Sequence, residues 1–302
     1  MSAGLPARAH PSPALTSLDI GHPVYAALFD PDIAFWALVD KTRLADTLAG
    51  AELLELYRRQ PDACRRELQA LRFDLQPSGV YLNPTERCNL NCAYCYLPAT
   101  QRRSCRYMFL DVPIASLGRL RDYFRSIMPD GRKHRVIFHG AEPLMNRDAV
   151  FAATGAFAGG FGFGVQTNGT LLDDRAVDFL TTRNLSIGLS LDGPFASITD
   201  ATRPTWSGRS MHDQVLAAMD RLRGYGLWSV ITTCTTENLP HLTAVVELSH
   251  TREVPTCMLN TVRCTLPGAR TVRPADAALA HAFFAALART HAGSGGAGGS
   301  RS

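Results

Sequence analysis

Short apolar, β-branched runs alternate with helical patterns through the middle of this 302-residue chain. The strand-like runs are Gly79–Asn83, Arg135–His139, Gly162–Thr167, Leu185–Leu191, Trp228–Cys234 and Thr256–Val262. Helical patterns follow at Leu110–Met128, Asp173–Thr182, His212–Tyr225, Leu239–His250 and Ala275–Ala292. Strands that alternate with helices form βα units with right-handed crossovers, so the chain is predicted to be an α/β protein with a parallel sheet. Such folds place their sites at the carboxyl ends of the strands.

Three cysteines follow the first predicted strand directly. Cys88, Cys92 and Cys95 have the spacing C-x3-C-x2-C, which supplies three thiolates on one tight loop and no fourth ligand. Structural zinc sites have four protein ligands, and iron–sulfur clusters are usually held by four thiolates. The loop therefore indicates a [4Fe–4S] cluster with one iron open to a small molecule.

A zinc site or a non-catalytic iron–sulfur module is the alternative from another functional class. A Cys3His zinc site would need a nearby histidine, and the downstream candidates His134 and His139 lie about forty residues away in sequence. The other cysteines show no dense secreted-type pattern, and residues 1–13 carry prolines and no apolar run. We therefore expect a reducing, cytoplasmic compartment.

Composition limits the partners. The chain is 46% hydrophobic, which is enough for one large core, or for one large and one small domain. No run reaches the roughly eighteen apolar residues of a membrane span, so we expect no membrane partner. The 31 basic and 27 acidic residues are too balanced to indicate nucleic-acid binding.

The next strands end in short polar motifs. The motifs are His139-Gly140-Ala141-Glu142-Pro143-Leu144, Gln166-Thr167-Asn168-Gly169, Ser190-Leu191-Asp192-Gly193-Pro194 with Thr199 and Arg203 downstream, and Cys234-Thr235-Thr236-Glu237-Asn238-Leu239. Each motif alone is also typical of a plain turn, because Gly, Pro, Asn and Asp mark loops. Their order at successive strand ends is more specific than any one of them.

With the cysteine loop, these motifs resemble the radical S-adenosylmethionine (SAM) enzymes over residues 79 to about 262. The closest resemblance is to the peptide- and protein-modifying subgroup, which includes SPASM-type maturases and anaerobic sulfatase maturases. Ala141 stands where the family's Gly-Gly-Glu-Pro motif has its second glycine, and Thr199 where the subgroup usually has histidine. Alanine restricts the backbone where φ is positive, so the shape of that turn is a point to check. The resemblance implies an open (β/α)6 partial TIM barrel.

The resemblance also implies the cofactors. In the family, three cysteines ligate the cluster, SAM chelates the open iron, and one electron cleaves the sulfonium. The resulting 5′-deoxyadenosyl radical abstracts hydrogen from the substrate. A flavodoxin or ferredoxin is the expected electron donor.

The implied contacts of SAM lie on the matching positions. They are Tyr94, Gly140, Glu142, Pro143, Thr167, Asn168, Ser190, Asp192 and Arg203. Tyr94 would lie beside the adenine, and Arg203 would pair with the SAM carboxylate, which suits its planar fork. Asp192 contacts the ligand or forms an Asx turn, and Asn238 shapes the adenosine pocket or caps the next helix. No general base or second hydrogen donor is evident, and no motif supports Tyr96 or Cys105 in that role.

The expected substrate is a peptide or protein side chain, as in ribosomal peptide maturation. A small molecule or a sulfatase remains the alternative. Arg102, Arg103 and Arg106 after the cysteine loop form a solvated face or attract an acidic substrate or leader peptide. Cys257 and Cys264 do not make the many-cysteine pattern of the auxiliary-cluster domain of many relatives. We expect them to be small buried residues, in a protein without auxiliary clusters or in a truncated form.

We expect three parts: residues 1–78, the barrel at 79–292, and a disordered Gly/Ser-rich tail at 293–302. In the first part, Val24–Phe29 and Ala34–Val39 are predicted to form a hairpin, followed by helices at Arg43–Arg59 and Asp62–Phe73. This small α+β segment resembles peptide-recognition domains, which add a peptide to a sheet edge. Alternatively it is a cap packed on the barrel.

Overall fold

A computed structural model of the chain describes residues 15–30, 35–49, 79–127 and 133–262, together with residues 55, 63, 66–70, 278 and 282. The chain divides into two compact units between residues 76 and 77. No described helix is long and apolar enough to cross a membrane.

The N-terminal unit contains a small antiparallel sheet. Its strands are β1 (Thr16–Leu18), β2 (Tyr25–Asp30) and β3 (Phe35–Asp40), in that order across the sheet. Helix α1 (Leu44–Ala49) follows a short 3₁₀ turn. The sheet contains the predicted hairpin, with Ala26 paired to Val39, and both side chains are buried. The strand β1 was not predicted, because three exposed residues carry no alternating pattern.

Only part of each predicted N-terminal helix can be compared with the structure. Within Arg43–Arg59, α1 and Glu55 are helical, and within Asp62–Phe73, Ala63 and residues 66–70 are helical. The remaining residues of both predicted helices lie outside the described part of the chain, as does the predicted tail at 293–302.

The larger unit is built on six parallel strands. They are β4 (Gly79–Leu82), β5 (Arg135–Phe138), β6 (Gly162–Thr167), β7 (Ser186–Ser190), β8 (Trp228–Cys234) and β9 (Cys257–Thr261). They lie side by side in chain order and every neighbouring pair is parallel. The predicted α/β fold with a parallel sheet is confirmed, and each strand lies within its predicted range.

Helices connect the strands. They are α2 (Ala99–Arg102), α3 (Asp111–Ile127), α4 (Arg147–Ala156), α5 (Asp174–Thr182), α6 (Ala196–Thr202), α7 (His212–Arg221) and α8 (Leu242–Thr251). The helices α2, α4 and α6 were not predicted. Two are very short, and α4 buries small residues such as Ala149 and Ala153, which give a weak apolar stripe. Of the helix predicted at Ala275–Ala292, only Ala278 and Ala282 are described, and both are helical.

The two faces of the sheet differ in chemistry. Side chains of alternate residues, such as Val136, Phe138, Ile187 and Leu189, are buried together with side chains from the helices, including Leu117 of α3. Side chains of the other face border open space at the carboxyl ends of the strands. They include Gln166, Ser190, Thr233 and Asn260. The core therefore fixes the strands, and the polar face is left to form a site.

Candidate active site

A cavity of about 260 Å³ opens at the carboxyl ends of the strands. Nine of the residues predicted from the sequence line it: Cys88, Cys92, Tyr94, Cys95, Gly140, Thr167, Asn168, Ser190 and Arg203. Three do not line it: Glu142, Pro143 and Asp192. The fold thus brings most of the predicted residues into one space and places the other three behind its wall.

The cysteine loop is held by the segment that follows α6. Asn91 N donates to Pro204 O at 2.7 Å, and Ala93 N donates to Thr202 O at 2.9 Å. Trp206 Nε1 donates to the carbonyl of Cys88 at 2.8 Å. These bonds satisfy backbone groups of the loop and tie it to the end of α6 and the residues that follow.

Arg102 is a structural part of the loop and not a member of an exposed basic face. It is 5% exposed, which corrects the expectation of a surface patch that includes it. Its guanidinium donates to Leu90 O and Leu97 O, each at 3.0 Å, and to Asn91 Oδ1 at 3.1 Å. These three hydrogen bonds connect parts of the loop to a single guanidinium group. Of the three arginines, only Arg103 and Arg106 are exposed.

Burial shifts the acidity of the thiols. Desolvation raises the pKa of Cys88 to about 12, and it also raises the pKa of Cys92. Arg203 acts in the opposite direction on both thiols. Metal binding requires thiolates and releases protons.

The donor set fits an iron–sulfur cluster. The three thiols of Cys88, Cys92 and Cys95 line one cavity. A cluster suits this arrangement, because each thiolate ligates a different iron.

Glu142 joins two strand ends beneath the cavity. Its carboxylate is fully buried and accepts hydrogen bonds from Leu144 N at 3.1 Å, Thr167 Oγ1 at 2.8 Å and Asn168 N at 2.7 Å. Burial raises its pKa, and these three donors act against that shift. With both oxygens occupied by the protein, the side chain holds the loop after β5 against the end of β6.

Tyr94, Asp192 and Arg203 form a buried chain of hydrogen bonds. The hydroxyl of Tyr94 donates to Asp192 Oδ2 at 2.5 Å and accepts from Arg203 Nη1 at 2.5 Å. Asp192 Oδ1 accepts from Thr233 N at 2.9 Å. Asp192 therefore makes its side-chain contacts within the protein, to Tyr94 and to β8.

Arg203 keeps one donor free. Its Nε is buried and has no hydrogen-bond partner among the described residues, although the guanidinium lines the cavity. Burial opposes its charge, but the contacts with Tyr94, Cys92 and Asp192 raise its pKa well above the ordinary value. A buried, unpaired, permanently charged donor is costly unless a ligand satisfies it. Arg203 thus brings a buried positive charge to the wall of the cavity.

Asn168 connects the loop after β6 with the cysteine loop. Its Nδ2 donates to Asn89 Oδ1 at 2.8 Å and lies 3.9 Å from Cys88 Sγ. Asn89 Nδ2 in turn donates to Thr170 Oγ1 at 2.7 Å. The Thr-Asn-Gly motif thus positions one of the three thiols.

The turn after β5 accommodates its alanine. Gly140 has φ +107°, and a Cβ there would lie 2.9 Å from Asn83 Cγ. Ala141 is not among the described non-glycine residues with positive φ, which are Asn184 and Glu253. The glycine is needed at the first position, and alanine is unstrained at the second.

The residues near Thr199 and Asn238 have structural contacts. Thr199 Oγ1 lies 3.0 Å from Nδ1 of the buried His212, so a histidine from α7 contacts the position where the family usually has one. Asn238 makes no side-chain helix cap; its Nδ2 donates to Asp192 O and Thr233 O, each at 2.8 Å. Asn238 therefore does not have the capping role considered from the sequence.

His139 was missed as a site residue. It lines the cavity beside the cysteines, although it is distant from them in sequence. Burial lowers its pKa, a hydrogen bond with Gln166 acts against this shift, and its ring contacts Tyr81 edge to face at 5.4 Å. Its place immediately before Gly140, at a strand end, was the available signal.

Comparison with known proteins agrees with this geometry. Residues 82–248 match the family model of the radical SAM superfamily. An uncharacterised protein of Archaeoglobus fulgidus is 35% identical over 246 residues, which cover 82% of this chain and 54% of that protein. A serine-type anaerobic sulfatase-maturating enzyme of Klebsiella aerogenes is 26% identical, covering 57% of this chain and 43% of that enzyme. The chain spans about half the length of these relatives.

Two solved structures share the fold. The anSMEcpe protein with bound AdoMet superposes with a TM-score of 0.59 at 19% identity, covering 68% of this chain and 56% of that chain. SuiB of Streptococcus suis, bound to precursor peptide SuiA, gives 0.57 at 11% identity, covering 91% and 71%. Radical SAM enzymes use a [4Fe–4S] cluster and SAM, the cofactors expected from the sequence. With the matched region spanning more than half of its residues, this chain belongs to the radical SAM superfamily.

Proposed function

We propose that this radical SAM enzyme acts on a residue of a peptide or protein, as in the maturation of ribosomally made peptides. The observation that carries the proposal is the meeting of three thiols and a buried guanidinium in one cavity. Such a cavity can hold a cluster and the anionic end of SAM side by side.

The proposed cofactor contacts follow from the cavity wall. Cys88, Cys92 and Cys95 would ligate the cluster, and the guanidinium of Arg203 would pair with the SAM carboxylate. Gly140 and Ser190 border the same space. When bound, the two cofactors supply one-electron cleavage of SAM and hydrogen-atom abstraction. The protein orients the ligand and excludes water.

Four residues expected to touch SAM have positioning roles in this proposal. Glu142 and Asp192 are fully buried and bonded within the protein. Tyr94 lines the cavity, and its hydroxyl holds Arg203. Pro143 begins the 3₁₀ turn behind the wall. These residues would set the shape of the pocket.

A peptide substrate is supported by the space beside the cofactor cavity. A second cavity of about 770 Å³ shares Tyr94, Tyr96 and His139 with the first. The likeness to SuiB, which was solved with a precursor peptide, favours the same substrate class. The likeness to a sulfatase-maturating enzyme favours a protein side chain as the second candidate.

The N-terminal sheet is a candidate for peptide recognition. Within the described residues, β3 pairs only with β2. Trp36 and Leu38 on β3 are 71% and 54% exposed. An edge strand with exposed apolar side chains can accept a peptide as a further strand. A flavodoxin- or ferredoxin-type donor in the cytoplasm would supply the electron.

Anaerobic reconstitution tests the proposed chemistry. We expect about four irons per chain and the release of 5′-deoxyadenosine from SAM with dithionite. Cys92→Ala should lose both, whereas Cys105→Ala, at an exposed cysteine away from the cavity, should retain them. Release that persists in Cys92→Ala, or one zinc in place of iron, would contradict the assignment. Co-expression with neighbouring short reading frames, followed by mass analysis, tests the substrate class.

A further inference from the structure

The second cavity runs along the edge of β9. Its wall includes the four successive residues 259–262. Side chains of a strand alternate between its two faces, so a cavity on one face contacts every second residue. Contact with successive residues means that this cavity is not confined to one face of the sheet. It reaches the edge of β9, and Thr233 and His139 border its other side at the mouth of the cluster cavity.

The outer edge of β9 offers main-chain hydrogen-bonding groups. In the described part of the chain, β9 is the last strand and pairs only with β8. Thr256 O accepts from Val230 N at 2.9 Å, and Val262 N donates to Cys234 O at 3.1 Å. In a parallel ladder, alternate residues turn toward the same neighbour. The N–H and C=O groups of Leu259 and Thr261 therefore point away from β8.

This edge leads to the cluster cavity. Asn260 and His139 line both cavities, so a ligand along β9 would reach the space beside the cysteines. The described residues that line the second cavity include no Lys, Arg, Asp or Glu. A charged side chain buried there would find no partner of opposite sign. The ligand segment nearest the site should be uncharged.

We propose that the substrate peptide docks as an added strand on β9, bonded to the outward N–H and C=O groups of Leu259 and Thr261. The docked strand presents an uncharged residue beside His139 at the mouth of the cluster cavity. Main-chain bonds at a sheet edge give affinity with little demand on sequence. This inference rests on the proposed peptide substrate and adds how the peptide is held.

Proline substitution tests the outer edge of β9 without removing its hydrogen bonds to β8. Leu259→Pro and Thr261→Pro each remove one outward N–H and leave the ladder with β8, because proline is tolerated at an edge. Leu259→Ala and Thr261→Ala keep the N–H and are the matched controls. Iron content and melting temperature establish that the variants fold.

The substrate probe is a library of random short peptides, incubated with the reconstituted holoenzyme, SAM and dithionite. Mass analysis identifies the peptides that the enzyme modifies, and one of them is used to measure kcat/KM. Each proline variant should lower kcat/KM about tenfold, through KM, because one peptide carbonyl loses its partner. The alanine controls should change it less than about twofold.

N-methylation of the peptide provides a test that needs no variant. Methyl groups on successive peptide amides should impair modification at alternate positions only, which is the period of a strand edge. Equal effects of methylation at all positions would contradict docking as a strand, and so would an unchanged kcat/KM in both proline variants. Neither result would contradict the proposal that the substrate is a peptide. If no library peptide is modified, the proposed peptide function itself is contradicted.

Discussion

The hydroxyl of Tyr94 accepts a hydrogen bond from Arg203 Nη1 at 2.5 Å, which joins the cysteine loop to the end of α6. The same hydroxyl donates to the fully buried Asp192. One tyrosine thus sits between a buried cation and a buried anion that are 3.8 Å apart. This contact fixes the direction of the guanidinium, whose buried Nε has no hydrogen-bond partner among the described residues.

Removing that hydroxyl should weaken both the fold and SAM binding. Tyr94→Phe removes the hydroxyl that bonds to both charged side chains, so Arg203 and Asp192 each lose one hydrogen bond. Because hydrogen bonds to charged groups are strong, the loss should lower the unfolding free energy by about 1.5–3 kcal/mol. Urea unfolding and equilibrium dialysis with SAM measure the two effects. The neighbouring Tyr96→Phe, at a residue 49% exposed, should change stability by less than about 0.5 kcal/mol. Equal stability of the two variants would contradict the role of the hydroxyl.

Arg102 should be required for the cysteine loop to hold iron. Arg102→Lys keeps the charge but cannot reproduce the three contacts of the guanidinium fork, so we expect a loss of about 3 kcal/mol and a lower iron content. Iron analysis after reconstitution and urea unfolding provide the measurements. Arg103→Lys, at the exposed neighbour, is the control and should load iron normally. Normal iron loading in Arg102→Lys would show that the loop forms without the fork.

Replacing the carboxylate of Glu142 by an amide should destabilise the protein. Glu142→Gln turns an NH₂ group toward a donor, either Asn168 N or Thr167 Oγ1, and leaves buried groups unpaired. We expect a loss of about 3 kcal/mol in unfolding free energy. Glu247→Gln, on the exposed side of α8, should stay within about 0.5 kcal/mol. A stable Glu142→Gln protein that has lost only SAM affinity would instead favour direct contact with the cofactor.

Gly140 and Ala141, in the same motif as Glu142, should differ in how much their substitution destabilises the protein. Gly140→Ala forces a side chain into positive φ and against Asn83, which costs about 1–3 kcal/mol. Ala141→Gly, which restores the family's second glycine, should cost less than about 1 kcal/mol, because only backbone entropy changes. Thermal unfolding of the two variants compares them directly. If Ala141→Gly destabilised the protein and Gly140→Ala left its stability unchanged, the glycine would not be required at position 140.

The fold and the position of the site could be predicted because their signals are local. Runs such as Trp228–Cys234 show strand character within a few residues, and the alternation with helices fixes a parallel sheet. Cys88, Gly140 and Ser190 each follow or end a strand, so the topology alone brings them to one edge. The helix α4 escaped prediction because its buried residues are small.

The direction of individual side chains could not be predicted, because contacts distant in sequence decide it. Asp192 was placed at a strand end, but its bond to Thr233 depends on the neighbouring strand. Arg102 stands in a basic run that is typical of solvated loops, whereas its partner Leu90 lies twelve residues away. His139 reaches the cysteines only through the pairing of β4 with β5. Periodicity and spacing do not contain this information.

His212 should make the protein less stable in acid. Burial lowers its pKa from 6.5, Asp213 and Asp200 act against this shift, and Arg252 adds to it. The native state therefore binds the imidazole proton less readily than the unfolded chain does. Stability is then fully present above 6.5 and falls as the pH drops through that value. Urea unfolding at a series of pH values measures the loss.

A glutamine at this position separates the imidazole from the other acid-sensitive groups. His212→Gln can still bond to Thr199 but does not titrate, so its stability should decline less between neutral and mildly acidic pH. His250→Gln makes the same replacement at an exposed histidine at the end of α8 and is the matched control. The unfolding free energies of His212→Gln and the parent protein could instead fall in parallel as the pH drops. The acid sensitivity would then arise from other groups and not from the buried imidazole of His212.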